Sequence, residues 1–163
     1  MALLEKLTVP TTGLPRWVVP STLGLGLAGL GVSIYLTVEH FTSPDQLACP
    51  IGASTNCTTV TTSAQSRFIG IPVAVLGLVF FVTLLVLCLP RFWTTSAVRV
   101  WQARLAVAAL GMLFVLYLIF SEIFLIRAIC QWCTVVHVLT FALFAVIAWA
   151  TAVADPNPFD PAR

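Results

Sequence analysis

Charge is what this sequence has least of. Only 9% of its 163 residues are charged, as eight Lys and Arg and six Asp and Glu, with two His besides. A soluble domain carries roughly 25% charged and about 45–50% apolar residues. Here 60% are apolar and the mean hydropathy is +1.03. So few charges cannot keep a globular surface solvated, which excludes a water-soluble domain, and the apolar excess excludes intrinsic disorder. The net charge of +2 comes without a basic stripe, so nucleic acid is not an expected partner. No internal repeat is visible.

In place of charge there are four long apolar segments: Trp17–Val38, Ile71–Leu89, Trp101–Phe124 and Cys130–Val153. Each can cross a hydrocarbon core of ~30 Å at ~1.5 Å per residue. Lipid offers the backbone no hydrogen bonds, so each is read as a helix. The expected fold is an all-α integral membrane protein, a four-transmembrane-helix bundle. Residues 17–153 would form the membrane domain, flanked by an N-terminus at 1–16 and a tail at 154–163, with connections at 39–70 and 90–100. The first segment exceeds the ~7–15 residues of a signal-peptide core and lacks a small-residue cleavage site before Glu39, so it is read as retained. Gly24/Ala28 and Gly29/Ser33 are small-residue pairs that would let another helix approach closely.

The few charges orient the bundle. Lys6, Arg16, Arg91, Arg99, Arg104 and Arg163 fall on one side of the four segments, and only Arg67 and Arg127 on the other. Six against two is a positive-inside bias, which puts both termini and the 90–100 connection in the cytoplasm. The 39–70 loop and the turn before Cys130 then face outward, across a cell (inner or plasma) membrane. The loop is about 32 residues long and rich in Ser and Thr, and loops of that length are usually functional. A short helix starting after Asn56 as N-cap is expected within it. Glu39, His40, Glu122 and Arg127 are read as solvated helix ends or a salt pair.

This topology sorts the five cysteines. Cys49 and Cys57 lie in the outer loop, and Cys130-Gln131-Trp132-Cys133 opens the last helix. Cys88, near the cytoplasmic end of the second helix, is read as a packing residue. Cysteines three apart on a helix share a face, and a helix N-terminus favours thiolate. That spacing suits reversible dithiol–disulfide chemistry. A pair of structural disulfides is the alternative, and a zinc site fits poorly because Cys49 and Cys57 are eight apart rather than within the usual ~2–4 spacers. Electrons from a strongly oxidising extracytoplasmic thiol carrier, near about −120 mV, need an acceptor more oxidising than ordinary thiol pools. In a membrane a quinone is the obvious one.

The order Cys49, Cys57, Ser63, Gly70-Ile71-Pro72 and Cys130-Gln-Trp-Cys133, after a first helix closing in Gly31-Val-Ser-Ile-Tyr-Leu-Thr-Val-Glu-His40, resembles the vitamin K epoxide reductase family, its bacterial members most closely. The resemblance covers residues 17–153. It implies a four-helix bundle around a quinone (menaquinone, ubiquinone or vitamin K type), capped by the extracytoplasmic loop and a half-helix. It also implies a route. Cys49 would exchange with a DsbA-like thioredoxin-fold protein, Cys57 would relay to Cys130, and Cys133 would deliver electrons to the quinone, with Ser63 assisting in the loop. No thioredoxin-like domain follows Val153, so the partner is expected to be a separate protein. Animal members carry Tyr where this chain has His137, one turn from Cys133, so His137 would hydrogen-bond a quinone oxygen or pass a proton. Trp132 and Phe68 are further candidates for the quinone pocket. A DsbB-type enzyme is disfavoured because there the Cys-x-x-Cys lies in the earlier outer segment. A vitamin K quinone or epoxide reductase and a non-enzymatic four-span protein with static disulfides are the remaining alternatives.

Overall fold

The computed structural model describes residues 14–42, 49, 55–93 and 98–154. Most of the expected cytoplasmic N-terminus, parts of both long connections and the tail from 155 on lie outside the described residues. Helix α1 (Val18–Thr42) is followed by the short α2 (Cys57–Thr61), a 3-10 turn (Ala64–Ser66), β1 (Arg67–Phe68) and β2 (Ile71–Pro72). Then come α3 (Val73–Leu87), α4 (Pro90–Trp93), α5 (Val98–Phe120), a π-helical turn (Ser121–Ile126) and α6 (Gln131–Ala154).

Among the described residues three helices are long and apolar enough to cross a membrane: Val18–Thr42, Arg99–Ile126 and Gln131–Val153. The fourth expected crossing is shorter. Helix α3 has 15 residues, about 22 Å of rise, because Ile71 and Pro72 pair with Phe68 and Arg67 instead of joining the helix. Ile69 and Gly70 connect these strands with φ of 53° and 82°, the left-handed geometry of a tight two-residue hairpin. The segment expected to be helical from Ile71 thus starts in a strand, and this small β element is an addition to an otherwise helical chain.

The long helices pack in a ring, α1 on α3 and α6, and α5 on α3 and α6. Gly29 sets the α1–α3 contact, since a Cβ there would collide with the Phe81 ring. Ser33 on the same face lies against Gly77. The Gly29/Ser33 pair is therefore a packing surface. Gly24 and Ala28 are exposed and face away from the neighbouring helices. Side chains bury into two clusters at opposite ends of the ring. One gathers Val18, Val19, Phe81, Leu84, Cys88, Trp93, Leu143 and Ile147. The other gathers Leu36, Cys57, Val60, Ala128 and Cys130.

Arg104 locks the first of these ends. Its guanidinium is fully buried and donates to the Leu87 carbonyl from Nε (3.0 Å) and Nη2 (2.8 Å), and to the Phe92 carbonyl (3.1 Å). These carbonyls are left free where α3 and α4 end, and a cation there also meets the negative end of the helix dipole. The charge lies 3.7 Å from the Trp93 ring centroid and 5.0 Å from that of Trp101. One of the six basic residues that orient the sequence is thus spent on helix termination rather than on a headgroup. Arg104→Met should lower unfolding stability by about 3 kcal/mol, the scale of removing a charged donor from buried acceptors. Arg104→Lys should recover little, because a point charge cannot bridge both carbonyls. Thermal unfolding in detergent reads this, and an unchanged midpoint in Arg104→Met would contradict the clamp.

Candidate active site

The cysteine site starts from one backbone tie. Thr55 forms a parallel bridge with Ile129, and the Asn56 N–H donates to the Ile129 carbonyl at 3.1 Å. Asn56 is also the N-cap of α2, its side chain accepting the Thr59 N–H at 3.1 Å. Cys57 is the first residue of α2 and Cys130 the residue before α6, so the tie holds both helix starts side by side.

The four cysteines other than Cys88 meet in the second cluster. Cys57 and Cys130 are buried at its centre, and Cys49 and Cys133 are half-buried and packed against it. Cys49 and Cys57 are joined in a disulfide with a Cα separation of 6.1 Å. Cys130 and Cys133 are free thiols in hydrogen-bonding contact with each other, and the Cys133 backbone N–H donates to the Cys130 sulfur at 3.3 Å. Cys88 is buried in the other cluster, away from this chemistry.

Below the cysteines lies a cavity of about 580 Å³, walled by α1, α3, α5 and α6 and roofed by α2 and β1. Of the four cysteines only Cys133 lines it. Its walls are otherwise mainly apolar, with Val, Leu and Phe side chains of α3 and α5. Its polar groups include the face of α6 carrying Cys133, His137 and Thr140, joined by Ser33 and Glu122. A volume within about 300–1,000 Å³, apolar walls and a few convergent polar groups describe a small-molecule site.

The other sequence candidates fall in different places. His137 is buried in the cavity wall. Phe68 also lines the cavity, its ring edge-on to Phe114 at 5.4 Å and to Tyr117 at 6.3 Å. Ser63 lines the roof, but its hydroxyl donates to the Val60 carbonyl at 2.7 Å and closes the end of α2. Trp132 lies off the cavity, its ring tilted against Tyr35 at 5.0 Å.

Residues 20–148 match the vitamin K epoxide reductase family. The chain belongs to that family. Membership makes it an oxidoreductase of the quinone-linked thiol kind in general. No curated protein matches the chain. The cavity suits the quinone that a vitamin K epoxide reductase family member uses.

Two residues of this vitamin K epoxide reductase-type cavity were not read from the sequence as cavity residues. Thr140 continues the Cys133–His137 face at i+7, a periodicity that could have been followed further. Glu122, read as a solvated end or salt partner, is instead only 6% exposed and lines the cavity. The signal was its place inside an apolar crossing, which marks an ionisable residue as functional. The geometry also orders the two free thiols. With the loop disulfide formed, a lipid-soluble maleimide should modify Cys133 before Cys130, as read by peptide mass spectrometry over time. Earlier labelling of Cys130 would contradict the cavity's boundary.

Proposed function

We propose that this chain is a bacterial-type thiol oxidase of the family, which reoxidises a separate DsbA-like thioredoxin-fold protein and supports disulfide formation outside the cytoplasm. In this reading α3 is the fourth crossing, both termini are cytoplasmic, and the cysteine cluster faces the extracytoplasmic side of the cell membrane. The observation that carries it is the division of the cysteines. Cys49 is half-buried on the loop side, Cys57 and Cys130 are buried together, and Cys133 alone opens on the apolar cavity.

Each exchange follows from that order. A partner thiolate attacks the Cys49 sulfur, forming a mixed disulfide and releasing Cys57 as thiolate. Cys57 attacks Cys130 of an oxidised Cys130–Cys133 pair, and Cys133 leaves as a thiolate on the cavity side. The partner's second thiol resolves the bond at Cys49. Cys49 then attacks Cys57, restoring the loop disulfide and freeing Cys130. The net result is one partner disulfide gained and one Cys130–Cys133 dithiol formed. The loop disulfide with two free thiols at Cys130 and Cys133 corresponds to the end of this half-cycle. A membrane quinone of the menaquinone, ubiquinone or vitamin K type supplies the terminal two-electron, two-proton sink. His137, Thr140 and Phe68 would orient its ring, and Ser63 and Trp132 would hold the roof and the helix head around the cysteines.

The competing reading is a vitamin K quinone or epoxide reductase, in which the quinone product matters rather than the oxidised partner. Purified protein mixed with a reduced DsbA-like carrier and menaquinone or ubiquinone should oxidise two carrier thiols to one disulfide for each quinone reduced, followed by quinone absorbance. Cys133→Ala should abolish this and Cys88→Ala should leave it intact. No carrier oxidation with any quinone would overturn the proposal, and epoxide turnover without carrier oxidation would favour the competing reading.

A further inference from the structure

Glu122 is a buried carboxylic acid for which the exchange sequence above has no use. It enters the protein interior through a distortion: α5 ends at Phe120 and the chain widens into the π-helical turn Ser121–Ile126. Such turns re-aim side chains and recur at functional sites. Here the turn keeps Ser121 and Glu122 inward, while Ile123, Phe124 and Leu125 are each more than half exposed.

Three observations converge on the carboxylate. The Cys130 backbone N–H points to it, and Cys130 and Cys133 are its titratable neighbours at the head of α6. It lines the large cavity, and with His137 it also lines a second cavity of about 390 Å³ on the α5–α6 side. Glu122 and His137 are thus the two polar residues that line both spaces, together with Val115. No basic side chain among the described residues neutralises it. The titratable groups around it are Cys130 ahead of α6, Cys133 and His137 on α6, Cys57 of α2 (held in the disulfide), His40 of α1 on the same cavity wall, and Arg127 of its own segment, which is exposed. A carboxylate is costly in an apolar interior and survives there when it is used. A glutamine would accept the Cys130 N–H equally well, so accepting that bond does not explain the acid.

We infer that Glu122 is the proton-transfer group of the Cys130–Cys133 couple, exchanging protons with the thiols and, through His137, with the polar edge of the cavity. The inference rests on the functional reading above. Closing the Cys130–Cys133 disulfide breaks two S–H bonds, forms one S–S bond, and releases two electrons and two protons. Reduction of a quinone to a quinol takes up the same two electrons and two protons. Cys133 opens on the cavity, but Cys130 does not, and its proton needs a carrier. Glu122 stands beside the Cys130 backbone and on the cavity wall, and His137 stands on the same wall.

The test compares Glu122→Gln and Glu122→Asp with the wild type. The first readout needs no quinone: the infrared difference spectrum between dithiol and disulfide states of Cys130 and Cys133 in quinone-free protein. A protonated-carboxyl band should change with redox state in the wild type and be absent in Glu122→Gln. The second is the pH profile of quinone reduction by the reduced carrier. Glu122→Gln should be slower by about 100-fold or more, the scale of general acid–base catalysis. It should also lose a limb of the profile that Glu122→Asp retains. A wild type with no carboxyl band, or a Glu122→Gln protein with unchanged infrared and pH profiles, would overturn the inference. If the wild type reduces no quinone the functional reading fails, while the infrared result still reports on Glu122.

Discussion

The site depends on one backbone tie, the Thr55–Ile129 bridge in which the Asn56 N–H donates to the Ile129 carbonyl at 3.1 Å. It fastens the outer loop to the residue ahead of Cys130, and through the N-cap it starts α2 at Cys57. Neither group has a helical partner of its own, since one precedes α2 and the other precedes α6. At the edge of a membrane core, where unpaired backbone groups are expensive, each satisfies the other. Two cysteines 73 positions apart are thereby buried in one apolar cluster. Without that tie the loop pair and the helix pair of cysteines would have nothing on the backbone to hold them together.

Burial then assigns direction. Cys49 is half-buried on the loop side, Cys57 and Cys130 are buried in one cluster, and of the four only Cys133 lines the cavity. The apolar composition that rules out a soluble fold is the solvent for that last step. The opposite end of the ring is built for rigidity instead. Arg104 closes two helix ends there between two indole rings, and Phe81 sits on the backbone of Gly29.

Much of this was legible in the chain itself. The apolar runs marked the long helices because the hydrophobic requirement of a span is a local property of sequence. Asn56 announced the start of α2 because capping chemistry is equally local. The cysteine order pointed to the family, and His137 stood out as an ionisable group in an apolar run. What was not legible depended on partners distant in sequence. The β1–β2 hairpin replaces the first residues of the second span because Ile69 takes a left-handed conformation that β-branched residues rarely adopt. Arg104 counts only toward the orientation of the bundle until the carbonyls of Leu87 and Phe92 are seen beneath it. Glu122 reads as a helix end until the π turn brings it inward. Trp132 sits inside the cysteine motif, yet its ring leaves the cavity for Tyr35.

The relay from loop to helix is the central claim, and pairing the two buried cysteines in isolation tests it most directly. In a Cys49→Ser, Cys133→Ser double variant, Cys57 and Cys130 are the only cysteines left in the outer cluster. Mild oxidation followed by peptide mass spectrometry should find them joined in one intramolecular disulfide, formed without loss of the folded state. Two free thiols, or bonds only between separate molecules, would contradict the shared cluster and the electron route built on it.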